Sequence, residues 1–149
     1  FMEGLCDAQG VKLSDCFANS FCLSADVSNA FDPNWPETCD KRNNSQLNYG
    51  VAICKYTGSR GKGGASDASA EAMGHVRSTL DKAGVIWQIA TLGKVDQGGG
   101  GTVAAYMANR NIVTVDAGVP VLSMHAPLEL VSKLDCYETM LACKAIYLA

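Results

Sequence analysis

Val115-Asp116-Ala117-Gly118-Val119-Pro120-Val121-Leu122-Ser123-Met124-His125-Ala126-Pro127-Leu128-Glu129 is a short apolar run that turns at Gly118 and runs apolar again into one histidine. The pattern reads as two successive strands, the second ending in His125. A strand that ends in an imidazole puts it where a sheet meets a loop, and open α/β sheets carry their chemistry there. A lone histidine also fits a plain core or surface position. Pro127 follows two residues later, and Ser132 with Asp135 three residues on is a capping-box variant that starts a helix. That helix is expected from Lys133 to Leu148, packing Leu134, Tyr137, Leu141, Ala145 and Leu148 inward.

Upstream of the quoted stretch, Ile112-Val113-Thr114-Val115 reads as the strand proper. Before it, Gly98-Gly99-Gly100-Gly101-Thr102 opens a helix expected over Val103 to Asn109. Free N–H groups at such an opening suit an anion. Close packing or positive φ explains the glycines equally well. Val85 to Ala90 is another strand. Ser66-Asp67 opens a helix to about Lys82, with Ala70, Met73, Val76 and Leu80 as its apolar stripe and Gly84 as its stop. His75 falls inside that helix and reads as a partly exposed structural residue.

Tyr49 to Thr57 is a strong strand with Lys55 at its end. Gly58 to Ala65 is glycine-rich and basic, but Lys62 is followed by Gly63, which breaks the phosphate-loop pattern. Phe21 to Val27 reads as a buried strand closing on Asp26, which by itself looks like a turn or cap residue. The long segment from Ser28 to Asn48 is rich in turn formers, and loops of that length are often functional. Phe1 to Ala8 has helical spacing stopped at Gly10, and Leu13 to Asn19 forms a short helical turn. Strands alternating with helices predict an α/β fold, a three-layer sandwich with a mixed, mainly parallel sheet.

Composition narrows the function. The 149 residues fit at most one domain, and an apolar fraction of 48% suits a buried core. A net charge of −3 with scattered signs gives no basic patch, so no nucleic-acid partner is expected. No apolar run approaches the roughly 20 residues that cross a bilayer, so no membrane partner is expected either. The seven cysteines are odd in number and include no Cys-x-x-Cys. Cys6, Cys16, Cys22, Cys54, Cys136 and Cys143 read as small buried residues in a reducing, cytoplasmic setting, with Cys39 the exposed thiol of a polar loop. The absence of Gly-x-Ser-x-Gly, and of a second histidine near a candidate nucleophile, speaks against a serine or cysteine hydrolase.

Several blocks together resemble the aspartyl aminopeptidase and vacuolar aminopeptidase I family. They are Leu23-Ser24-Ala25-Asp26-Val27 with Phe31-Asp32-Pro33-Asn34, Lys55-Tyr56-Thr57-Gly58-Ser59-Arg60-Gly61-Lys62, and Ser66-Asp67-Ala68-Ser69-Ala70-Glu71. Gly93-Lys94-Val95-Asp96-Gln97 with Gly98 to Thr102, and Gly118 to Pro127, complete the set. They follow the family's order and cover nearly the whole chain.

The resemblance implies a zinc-dependent exopeptidase that removes N-terminal residues from peptides, with two zinc ions (or other divalent metals such as cobalt or manganese) in one site. It implies Asp26 as a ligand of one metal and His125 of the other. It implies that Lys55 and the Gly99, Gly100 and Gly101 turn contact substrate. Zinc does take imidazole nitrogen and carboxylate oxygen, and a paired site can polarise a peptide carbonyl.

The family's other histidine, its bridging aspartate and its glutamate pair, one of them the general base, precede Phe1 in family order. Glu3 and Glu71 replace none of them. Residues 1–149 are therefore expected to be the C-terminal portion of one metallopeptidase catalytic domain, a partial zinc-exopeptidase-like domain inactive alone. The missing N-terminal half would be a partner, and the family's homo-oligomer, a dodecamer, is expected for the whole. A non-catalytic module of the same fold, serving assembly or partner binding, is the alternative. A nucleotide-binding domain built on Gly98 to Thr102 is a weaker one, because the dinucleotide spacing is absent.

Overall fold

The computed structural model describes residues 1–59, 66–94 and 97–149. Helices α1 (Met2–Ala8) and α2 (Leu13–Ala18) lead into strands β1 (Phe21–Ser24) and β2 (Ser28–Asn29). After a 3-10 turn at Pro36–Thr38 come β3 (Val51–Cys54) and β4 (Gly58–Ser59). Helix α3 (Ala70–Ala83), β5 (Trp87–Ala90), β6 (Gly99–Gly100) and α4 (Ala104–Ala108) follow. The chain then forms β7 (Val113–Gly118), β8 (Pro120–Leu122), β9 (Leu130–Val131) and α5 (Lys133–Tyr147).

The main sheet has the order β1-β7-β3-β5. Its outer pairs, β1 with β7 and β3 with β5, are parallel, and the central β3–β7 pair is antiparallel. The expected mixed, mainly parallel sheet is therefore present. Side chains alternate across it. Val51, Ile53, Val115 and Ala117 face Ala72, Val76 and Leu80 of α3 and Ala142 of α5. Ala52, Cys54 and Ala90 cluster apart from that core, on the other face. Asp116 shares that second face by alternation, and α4 approaches it through Thr102. The result is helix, sheet, helix.

β7 and β8, adjacent in sequence, belong to different sheets: β8 lies between β2 and β9 in a three-stranded sheet. The long segment after Val27 is also less irregular than its composition suggests, since it holds β2 and a bridge between Ala30 and Ser45.

Among the element boundaries that differ from expectation, three have identifiable reasons. Helix α3 starts at Ala70 with Ser69, not Ser66 or Asp67, as its cap, the Ser69 hydroxyl accepting from the Ala72 N–H at 3.1 Å. The residues ahead of it are held extended instead. The Thr57 N–H donates to the Ser66 carbonyl, and the Ala68 N–H to the Lys55 carbonyl. The buried face of α3 consequently carries Ala72, Val76 and Leu80, while Ala70 is exposed. Gly84 ends the helix in the left-handed region as expected. Strand β1 stops at Ser24, so Asp26 lies beyond it, and strand β8 stops at Leu122, so His125 lies beyond it.

Helix α5 is capped by Ser132 as read, but its rotation differs. Asp135 is fully buried, and its carboxylate accepts the backbone N–H groups of Asn48 (2.8 Å) and Gly50 (2.9 Å). Drawing Asp135 inward fixes the face that packs, which carries Ala142, Leu141, Ala145 and Ile146. Leu134, Tyr137 and Leu148, expected inside, are largely exposed.

Two cysteines exchange their expected places. Cys39 is buried behind the 3-10 turn, and Cys136 is exposed on α5. All seven thiols are free. Burial pushes the Cys54 thiol up to about 11, so little of the reactive thiolate exists there. Alkylation of the native protein at mildly alkaline pH is expected to modify Cys136 first and to spare Cys54, and all seven thiols should titrate after unfolding without reductant. A disulfide in the peptide map, or equal labelling of Cys54 and Cys136, would contradict this.

Candidate functional site

The site is organised by the end of β7. Its register sets Leu23 beside Val115 and Ser24 beside Asp116. Just past β1 the chain turns, with the Asp26 N–H donating to the Ser24 carbonyl at 3.1 Å. Gly118 makes that turn possible. A Cβ at Gly118 would lie 1.2 Å from the Asp26 carbonyl oxygen, so no larger residue fits without moving backbone. The Asp26 side chain remains exposed, its Oδ1 accepting the Val27 N–H at 2.8 Å. From this point β2 and β8 run parallel, Ser28 beside Pro120 and Asn29 beside Val121.

Asp116 is the acidic residue that sequence reading passes over. It is only 6% exposed. Its Oδ2 accepts from the Thr102 hydroxyl at 3.0 Å and the Ser66 hydroxyl at 3.4 Å, and its buried Oδ1 has no hydrogen-bond partner among the described residues. Burial pushes its carboxyl above the ordinary aspartate range. The hydroxyls of Thr102 and Ser66 that bond it pull it back, and the negative charge of Asp26 adds a smaller push upward. The available signal is the alternation itself: an aspartate between Val115 and Ala117 must face the other side of a strand buried on both faces.

A groove of about 550 Å³ separates Asp26 from α4, lined by Asp26, Gly101, Thr102, Val103, Ala105, Tyr106 and Asn109. A much smaller cavity beneath it also touches Asp26, with Cys54, Thr57, Asp116 and Gly118. His125 borders neither. It sits in the Ser123–Glu129 connection between β8 and β9, exposed, with φ of 66°, and its backbone N–H donates to the Glu129 carboxylate at 2.5 Å. Among the described residues no group of three or more His, Cys, Asp or Glu is close enough to hold a metal. Asp26 and His125 supply the oxygen and nitrogen donors zinc takes, but a catalytic zinc uses three protein ligands.

Lys55, just past β3, is paired with Asp67 at about half exposure for both side chains. Gly99 and Gly100 form β6 and pair antiparallel with β4, Gly58 beside Gly100. Gly99 has φ of 106°, and a Cβ there would meet the Gly58 carbonyl oxygen at 2.1 Å. Close backbone approach thus accounts for this glycine. Helix α4 is a single short stretch of five residues with Val103 as its cap. The basic loop expected at Gly58 to Ala65 lies mostly outside the described residues. His75 is exposed on α3 with its ring edge-on to Phe21 at 5.5 Å.

A model of the aminopeptidase I zinc metalloprotease family (M18) matches residues 5–147. The "Probable M18 family aminopeptidase 1" of Clostridium acetobutylicum is 52% identical over 133 residues, covering 89% of this chain and 29% of that protein. The crystal structure of an M18 aminopeptidase from Thermotoga maritima superposes with a TM-score of 0.90 at 43% identity, over 97% of this chain and 34% of that one. A structure of the S. cerevisiae mApe1 dodecamer matches with a TM-score of 0.74 at 22% identity, over 99% of this chain and 32% of that one, a likeness of fold. The chain spans about a third of the length of the relatives it matches.

Proposed function

This chain belongs to the aminopeptidase I zinc metalloprotease family (M18), and from that premise we propose that residues 1–149 form the C-terminal portion of an aminopeptidase catalytic domain. The observation that carries the reading is Asp26: an exposed carboxylate, seated on Gly118 at the sheet's end and bordering an open groove, in a chain matched by the family along nearly its whole length. Asp26 would ligate one of two zinc ions and His125 the other. When bound, such metals would polarise a peptide carbonyl and make a water more acidic. The remaining ligands and the general base would come from the part of the catalytic domain outside this chain. That fits the incomplete donor set among the described residues.

The chain's own residues have definable tasks. Gly118 holds the Asp26 backbone, which fixes where the carboxylate stands. The groove between Asp26 and α4 receives the N-terminal end of a peptide. Lys55 and the Gly99, Gly100 and Gly101 turn border the substrate's path. Lys55 reaches a substrate only by loosening its pairing with Asp67, and a half-exposed pair of this kind contributes little to hold it back. A homo-oligomer is the proposed assembly, with the dodecamer of mApe1 as its pattern. A reducing, cytoplasmic setting is proposed with it, from seven cysteines that are odd in number and include no Cys-x-x-Cys. No helix among the described residues is long and apolar enough to cross a membrane.

The test compares the full-length protein with the 149-residue chain on neutral and acidic aminoacyl-anilides. The full-length protein is expected to turn over at least one of them, to contain zinc, and to lose activity with a chelator. The chain alone is expected to show no turnover above a metal-free blank. Turnover that survives chelation, or turnover by the isolated chain, would overturn the reading.

A further inference from the structure

Both walls of the groove beside Asp26 hang from the same strand. The near wall is Asp26 itself, whose backbone rests on Gly118 of β7. The far wall is α4 with the residue that caps it, presenting Val103 and Tyr106, which are 51% and 72% exposed. That wall is tied to β7 two residues before Gly118, where the Thr102 hydroxyl donates to the Asp116 carboxylate at 3.0 Å. The same hydroxyl accepts the Ala104 N–H at 3.3 Å, and Ala104 is fully buried. One side chain thus fastens the start of α4 to the sheet.

We propose that Thr102 is a positioning residue that sets the width of the substrate groove, by anchoring α4 to Asp116 on the strand that also seats Asp26. The role goes beyond holding the fold together. Asp116 is buried within β7, while the groove-facing residues Val103 and Tyr106 are exposed, so losing the tie frees the wall more than the core. The inference rests on the aminopeptidase reading above, because it takes the groove as the place where the substrate lies. The hydrogen bonds of Thr102 go to Asp116 and Ala104, not to Asp26 or His125, so metal loading is not expected to depend on it.

The experiment uses full-length enzyme carrying Thr102→Val, which removes the hydroxyl at nearly constant shape, and Thr102→Ser, which keeps it. A loosened groove weakens substrate binding equally in the ground and transition states, which raises KM and leaves kcat alone. Thr102→Val is expected to raise KM for a neutral aminoacyl-anilide about threefold to tenfold with kcat within about twofold, the pattern of lost uniform binding. Zinc content should equal wild type, and Thr102→Ser should restore KM. If the valine variant does not accumulate as folded protein, Thr102→Ala takes its place. Unchanged KM, a serine variant as poor as the valine one, or failure of both the valine and alanine variants to fold would overturn the positioning role. Active wild type with unaffected variants overturns this inference alone. A full-length wild type without peptidase turnover overturns the functional reading, and this inference falls with it.

Discussion

Asp26→Ala in the full-length enzyme is expected to lower kcat/KM about a thousandfold and to release metal. A metal that polarises a carbonyl and activates water supplies several kcal/mol of barrier reduction, and each 1.36 kcal/mol is about tenfold in rate. The alanine variant loses this without disturbing the core, because the Asp26 side chain is exposed and its carboxylate accepts from the adjacent Val27 N–H. His125→Ala is expected to act alike. His75→Ala serves as the control: its ring is exposed on α3 and touches Phe21 edge-on, so activity should stay near wild type. Metal analysis alongside turnover decides the matter. An Asp26→Ala enzyme that keeps both its zinc and its rate removes Asp26 from the metal site.

Gly118→Ala is expected to be the most destabilising glycine-to-alanine change among the described residues. The new Cβ would lie 1.2 Å from the Asp26 carbonyl oxygen, far inside contact distance. Neither side yields easily. Gly118 is held in the β3–β7 ladder opposite Ala52, and the Asp26 turn is flanked by β1 and β2. Overpacking of this kind costs about 3 kcal/mol or more, since relief requires a backbone shift. The shift would also carry Asp26 with it, so metal affinity should fall as stability falls. Gly74→Ala supplies the contrast. It lies in α3, where an added methyl group would have nothing within 4 Å, and it should stabilise by about 0.5–1 kcal/mol. Thermal unfolding of the two variants gives the signs. Equal melting temperatures would show that the Gly118 turn is more compliant than its packing implies.

The alternation of strands and helices is legible in the sequence because it rests on local periodicity and on glycine stops such as Gly84. The family is legible because its blocks are long and ordered. What escapes is what depends on distant partners. The Ser66-Asp67 cap signal is genuine chemistry, but backbone pairing with Lys55 and Thr57 holds those residues extended and moves the helix start to Ala70. The strands before Asp26 and His125 are each read too long, since a turn after Ser24 and left-handed residues at Ser123 and His125 end the pairing earlier. Asp116 is overlooked because its partners Thr102 and Ser66 lie 14 and 50 positions away, and no local pattern announces them. The face of α5 is misjudged because a buried Asp135 contradicts the hydrophobic stripe.

Asp135 also governs when the domain can become native during synthesis. The amides of Asn48 and Gly50, just ahead of β3, receive their acceptor from a residue 85 to 87 positions downstream. Until that carboxylate leaves the ribosome, the segment leading into β3 has two donors without their native acceptor. At elongation rates of about 5–20 residues per second the interval is roughly 4 to 17 seconds, long compared with hairpin or helix formation. β3 pairs with both β5 and β7, so the interval is one in which a half-locked central strand is open to wrong partners. Chaperone engagement of the nascent chain is therefore expected to persist until α5 emerges and to end soon after, whereas an Asp135→Ala chain would prolong it.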